Sequence, residues 1–178
     1  MIYRFGDFPI KHKVFYRYAW RRISRTVEHI VTPSKFIKEL LLERGVGADK
    51  ISVIPSPPPA RSAFAPFLPP AESGGFRFGY VGQISEHKGI RVLLDAFRKV
   101  LDQHEDVSLM LAGPVRSEFA KSCVELCERD EALRAKVFFL GAIEDVQGFY
   151  KACDVHIAPT LRVEPYGIVA VEAKLASR

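Results

Sequence analysis

Four short apolar runs set what this chain can fold into. They are FRFGYVG (76–82), VSLMLAG (107–113), KVFFLG (136–141) and DVHIAP (154–159), and each is followed by a stretch with helical spacing. A strand that is apolar at nearly every position is buried on both faces. Such strands alternating with helices make a parallel sheet covered on both sides. The runs end at Gly82, Gly113, Gly141 and Pro159. Ligands of open parallel sheets bind beyond those carboxyl ends, where glycine lets them come close to the backbone.

The intervening segments support this pattern. GIRVLLDAFRKVLDQH carries Val92, Leu93, Ala96, Phe97 and Val100 at helical spacing, and helices are also expected over 117–129, in DVQGFYKAC and in the closing EPYGIVAVEAKLASR. Upstream, the sequence predicts a helix over 11–26 and a strand in EHIVT. Ser34 is expected to cap a helix in KFIKELLLERG that closes at Gly45, and KISVIP is expected to form a strand. SPPPARSAFAPFLPPAESGG (56–75) is rich in proline, alanine, serine and glycine, a linker composition. The expected organisation is a small α/β piece over 1–58, a linker over 59–75 and a Rossmann-like domain over 76–178.

A length of 178 residues suits one domain, or one domain and part of another. Apolar residues make up 48% and charged residues 26%, a globular composition. No apolar run approaches the ~18 residues of a membrane span. No charged and then apolar leader follows Met1. Cys123, Cys127 and Cys153 form no C-x-x-C pair and lack zinc-site spacing, so buried, idle thiols are expected. The net charge of +5 suggests an anionic partner without naming it.

Two stretches carry candidate chemistry. In GYVGQISEHKG, Lys88 projects from the loop after a strand, just before Gly89 opens a helix, where a phosphate would sit. The plain alternative is a solvated lysine. The loop is neither G-x-x-x-x-G-K-[ST] nor G-x-G-x-x-G, so ATPase and dehydrogenase readings lack support. In EPYGIVAVEA, Pro165 suits a first helical position. That puts Glu164 at or near the N-cap, with the amides of Tyr166, Gly167 and Ile168 open to an anion. Glu172 then lies about 12 Å along the axis from Glu164. A glycosidase pair needs ~5–9.5 Å, so this spacing better fits two ends of one long ligand, such as sugar–diphosphate–nucleoside. The alternative is that Glu164 only caps the helix and Glu172 is solvated.

Taken together, GYVGQISEHKGIRVLLDAF, VSLMLAG, VFFLGAIEDVQGFYKACDVHIAPT and EPYGIVAVEA resemble the donor-binding half of retaining glycosyltransferases of family 4, with the GT-B fold. HIVTPSKFIKELLLERGV and KISVIPS resemble the last elements of that family's N-terminal domain. The resemblance implies the following roles. Lys88 would contact the donor diphosphate, with Gly82 beneath it and the Gly167 and Ile168 amides bonded to it. Glu172 would bind the ribose, Glu164 would lie near the transferred sugar, and the base would rest near Ile143. The implied reaction moves a sugar from a UDP- or GDP-linked donor to a glycan or lipid-linked acceptor with retention. The leaving diphosphate would assist the acceptor, and neither a metal nor a cofactor is expected. A cytoplasmic place in cell-surface polysaccharide synthesis follows.

The chain departs from the family at Gln83, where an arginine is usual, so one diphosphate cation is absent. Most of the family's acceptor-side domain and its terminal strand are also missing, so the expectation is a fragment of such an enzyme whose turnover alone is in doubt; the alternatives are one piece of a split glycosyltransferase or a non-catalytic nucleotide-sugar-binding module. Finally, Lys13, Arg17, Arg21 and Arg25 form a basic stripe opposite Phe15, Ala19 and Ile23. Residues 11–25 read either as a domain helix packing its apolar face or as a helix resting on an anionic membrane surface. No recognised nucleic-acid module accompanies it.

Overall fold

The computed structural model describes residue 22 and residues 24–57, 65–162 and 164–176. The basic stripe therefore lies mostly outside the described residues; Arg22 and 24–26 are helical. The chain divides into two compact units. The smaller takes Met1–Pro57 and Val163–Tyr166, and the larger takes Pro58–Arg162 and Gly167–Arg178.

In the smaller unit, β1 (Ile30–Thr32) pairs in parallel with β2 (Ile51–Val53), Ile30 opposite Ile51. Between them runs α1 (Lys35–Leu42), which buries Ile37 and Leu41 against Val46 and Ile51. Ser34 caps α1 as expected, its hydroxyl accepting from the Ile37 amide at 3.3 Å. The same hydroxyl donates to the Pro165 carbonyl.

In the larger unit, β3 (Phe76–Val81), β4 (Val107–Ala112), β5 (Val137–Gly141) and β6 (Val155–His156) form one parallel sheet in the order β5-β4-β3-β6. Every residue of β4 is buried. Alternate side chains serve opposite faces, as the strand period of two requires. Val107, Leu109 and Leu111 join one cluster, whereas Met110 and Ala112 join another. The first face is covered by α2 (Ile90–Leu101), α3 (Glu118–Arg129) and α4 (Glu131–Lys136). The second is covered by α5 (Val146–Ala152) and α6 (Ile168–Leu175). Each fully buried Leu or Phe contributes about 1.5–3 kcal/mol, so two full faces give this sheet its cohesion.

Some expectations shift in detail. On α2 the buried residues are Ile90, Leu93, Leu94 and Phe97, at i, i+3, i+4 and i+7. Val92 and Ala96, expected in the apolar stripe, point away from its centre and are exposed. Helix α4 was not expected from the sequence. It exists because Asp130 ends α3 in extended backbone and caps the next helix, accepting from the Leu133 amide at 3.0 Å. Asp130 also receives Arg98 Nε at 2.9 Å. The end of the expected linker is built into the larger unit. Phe67 donates its amide to Asp145 and packs edge-on against Phe149, and Ser73 is fully buried.

Candidate functional site

From β3 the chain crosses to β4 on one side, whereas β6 lies on the other. The strand order therefore reverses between β3 and β6. In open α/β sheets that reversal leaves a crevice beyond the strand ends, because the two connections diverge there. The loop after β3, with Gly82, Gln83 and Lys88, and the loop after β6 start on either side of it.

These loops are closely joined. The His87 carbonyl accepts from the Leu161 amide at 3.0 Å and from the Thr160 hydroxyl at 3.4 Å. Gly89 has a left-handed φ of 73°, and a β-carbon there would lie 2.1 Å from the Pro159 carbonyl oxygen. A β-carbon on Gly113 would lie 1.9 Å from the Gly82 carbonyl oxygen. Glycines at these positions thus allow the ends of β3, β4 and β6 to close up.

Lys88 ends a 3-10 turn, Glu86–Lys88, and is half-buried; its amide donates to the Ser85 carbonyl at 3.1 Å. Gly82 continues the β3 ladder by donating to the Ala112 carbonyl. Gln83 is exposed, and its carbonyl accepts from the Tyr80 hydroxyl at 2.7 Å, which fixes the backbone as it leaves the strand. The Ser85 hydroxyl in this loop is buried and has no hydrogen-bond partner among the described residues.

The last helix starts later than the sequence suggested. Gly167, with φ 67°, is the cap, and α6 begins at Ile168. A left-handed cap turns the chain abruptly, so Pro165 is not the first helical residue and Glu164 is not the N-cap. Glu164, Pro165 and Tyr166 group with the smaller unit, where Ser34 holds the Pro165 carbonyl. The axial rise of about 12 Å between the two glutamates therefore does not apply, since it assumed one continuous helix. The first-turn amides are those of Ile168 and Val169, which helical geometry leaves without an intrahelical acceptor. The Gly167 carbonyl already accepts from Ala170 and Val171. The Tyr166 amide lies outside this turn.

Glu172, on α6, is half-buried and accepts from the Tyr150 hydroxyl at 3.1 Å. Tyr150 was not singled out from the sequence. Its signal was available: a tyrosine on the core side of a short helix needs a partner for its hydroxyl. Burial, and then the charge of Glu172, push the Tyr150 phenol upward, so it remains a donor. Burial pushes the His156 imidazole downward, toward its neutral form. Ile143 follows the left-handed Gly141 at the end of β5 and packs against the cluster containing Met110, Phe149 and Tyr150. Asp145 caps α5 through the Gly148 amide at 2.8 Å. The amides of Phe67 and then Gly148 hold its carboxyl below the usual range. No group of three or more His, Cys, Asp or Glu side chains suited to a metal occurs among the described residues.

An open parallel sheet covered by helices on both faces defines a Rossmann-like α/β protein. Residues 67–177 match the profile of the family described as Glycosyl transferases group 1, and the chain belongs to that family. It is 36% identical over 101 residues to an uncharacterized glycosyltransferase of Methanocaldococcus jannaschii, covering 54% of this chain and 24% of the relative. It is 31% identical over 134 residues to the phosphatidyl-myo-inositol mannosyltransferase of Mycolicibacterium smegmatis, covering 74% of this chain and 33% of the relative. The chain thus spans about a quarter to a third of the length of these relatives. Among solved structures, Anabaena HepE in complex with UDP and glucose superposes with a TM-score of 0.72 at 22% identity, over 93% of this chain and 47% of HepE. TarM gives 0.71 at 16% identity, over 99% of this chain and 32% of TarM.

Proposed function

We propose that this chain binds the donor of a retaining glycosyl transfer, in which a sugar moves from a nucleotide diphosphate sugar to a glycan or glycolipid acceptor. The observation that carries the reading is the join at the switch point. His87, Thr160 and Leu161 hold the loop bearing Lys88 against the loop that follows β6 and leads to α6. Named relatives support the acceptor class. One is the phosphatidyl-myo-inositol mannosyltransferase above, and another is a lipopolysaccharide core mannosyltransferase of Rhizobium leguminosarum. HepE was solved with UDP and glucose, which supports a nucleotide-linked donor.

In this reading the diphosphate lies over Gly82, between Lys88 and the first-turn amides of α6. The ammonium and the helix dipole stabilise charge that grows on the leaving diphosphate. Glu172 accepts from the ribose hydroxyls, and Ile143 borders the base. Catalysis then rests on alignment and charge stabilisation, with no protein nucleophile.

Calorimetry with UDP and GDP tests the site. A hydrogen bond to a charged group contributes about 1.5–3 kcal/mol, so Lys88→Ala and Glu172→Ala should each weaken binding roughly ten- to a hundredfold. If neither nucleotide binds, or both variants bind like the unmodified chain, the reading is wrong. Product formation with a glycan acceptor, by the chain alone or with a complementing polypeptide, separates catalysis from binding alone. The anomeric configuration of that product tests retention.

A further inference from the structure

We propose that Tyr150 is a positioning residue, whose buried hydroxyl orients the Glu172 carboxylate toward the ribose diol of a bound nucleotide. The proposal rests on the reading of Glu172 given above. Tyr150 is 0% exposed, so its hydroxyl must find a partner inside the protein. That partner is Glu172 Oε2, at 3.1 Å, across the gap from α5 to α6.

The ring that carries the hydroxyl is itself held. His156 meets it edge-on with centroids 5.1 Å apart, and Phe149 does so at 6.2 Å. Phe149 is also fully buried, and Gly79 beneath it leaves no room for a side chain. A β-carbon on Gly79 would lie 3.1 Å from the Phe149 ring and 2.3 Å from Cys153 Sγ. The hydroxyl therefore points along a fixed line.

A glutamate side chain has three rotatable bonds, and α6 alone does not choose among its rotamers. One hydrogen bond from a clamped donor does choose. With Oε2 fixed on Tyr150, Oε1 becomes the oxygen offered to a ligand. A fixed acceptor loses less entropy on binding a ribose hydroxyl than a loose carboxylate does.

The readout is the ratio of affinities for UDP and 2′,3′-dideoxy-UDP, measured by calorimetry on the full chain. The guanosine pair replaces them if GDP binds more tightly. The unmodified chain should prefer the ribonucleotide by about tenfold or more. Glu172→Gln should lose most of that preference. Tyr150→Phe should lose most of it too, with unchanged affinity for the dideoxy nucleotide. If Tyr150→Phe weakens both nucleotides equally, the residue only supports the fold, and the proposal fails. If it keeps the preference while Glu172→Gln loses it, the proposal fails and the Glu172 reading stands. If both variants keep it, the Glu172 reading itself falls, and the proposal with it.

A second measurement needs no variant. The buried hydroxyl proton of Tyr150 should give a slowly exchanging resonance that moves on adding UDP and stays in place on adding its dideoxy form. Equal movement with both nucleotides would overturn the proposal.

Discussion

Gly89→Ala tests whether the join between the β3 and β6 loops sets the geometry of the crevice. Alanine at Gly89 meets two costs. The left-handed backbone, φ 73°, costs an L residue roughly 1–2 kcal/mol. The new β-carbon would also sit 2.1 Å from the Pro159 carbonyl oxygen, a backbone atom that cannot rotate away. The β6 loop must retreat, and the Leu161 amide then leaves the His87 carbonyl. One lost hydrogen bond of this kind costs about 1 kcal/mol.

Gly141 supplies the control. Its φ is 68°, but nothing lies within 4 Å of a β-carbon built there. Gly141→Ala therefore carries the backbone cost alone, about 1–2 kcal/mol. Gly89→Ala should cost about 1–2 kcal/mol more than that, seen as a further drop of ~2–8 °C in the melting temperature. Thermal unfolding by circular dichroism measures the difference, and calorimetry with UDP should show weaker binding for Gly89→Ala. Equal destabilisation by the two variants would show that the loops are not joined at Gly89 and would refute the reasoning.

Two further outcomes follow from the larger unit. Asp145→Asn keeps a capping side chain for α5 but removes the charge that receives the Phe67 and Gly148 amides. Because the folded carboxyl is held below its unfolded value, its contribution is present above the unfolded pKa and fades as pH falls through the folded one. Urea unfolding should therefore separate Asp145→Asn from the parent near neutrality, and the gap should narrow in acid; a gap independent of pH would contradict this. Cys123, Cys127 and Cys153 are all buried, and burial raises Cys127 and Cys153 to about 12. A disulfide reagent should find no reactive thiol in the native protein and all three in denaturant. Native labelling of any of them would count against the described core.

Where the sequence was readable, one strong local signal decided the structure. VSLMLAG is apolar at nearly every position, and it became the wholly buried β4. Ser34, a hydroxyl just ahead of an amphipathic run, became the cap expected of it, and Ser117, read as the first residue of a helix, caps α3 one residue ahead of its start. Reading failed where two signals competed. Pro165 is a good first helical residue, yet Gly167 adopts a left-handed turn two residues later, so the helix starts at Ile168. Local propensity cannot choose between a proline start and a glycine cap. The choice is tertiary, and Ser34, 131 positions away in sequence, holds the Pro165 carbonyl. The end of the proline-rich segment shows the same limit: its composition reads as a linker, and what fastens Phe67 is an aspartate and a ring 78 and 82 residues on.

The same distinction explains the candidate site. Lys88 and Glu172 could be singled out because they lie in short motifs, but what orients them is non-local. The loop of Lys88 is held by amide and hydroxyl donors from beyond β6. Glu172 is held by a phenol on another helix. Each of these contacts joins a side of the crevice to a segment more than 20 residues away in the chain. An open sheet meets this need at its switch point, where connections that diverge in sequence begin side by side in space. The candidate residues Lys88 and Glu172 are therefore readable one at a time. The contacts that hold them, that of the Tyr150 hydroxyl above all, become visible only when the strands have been placed in order.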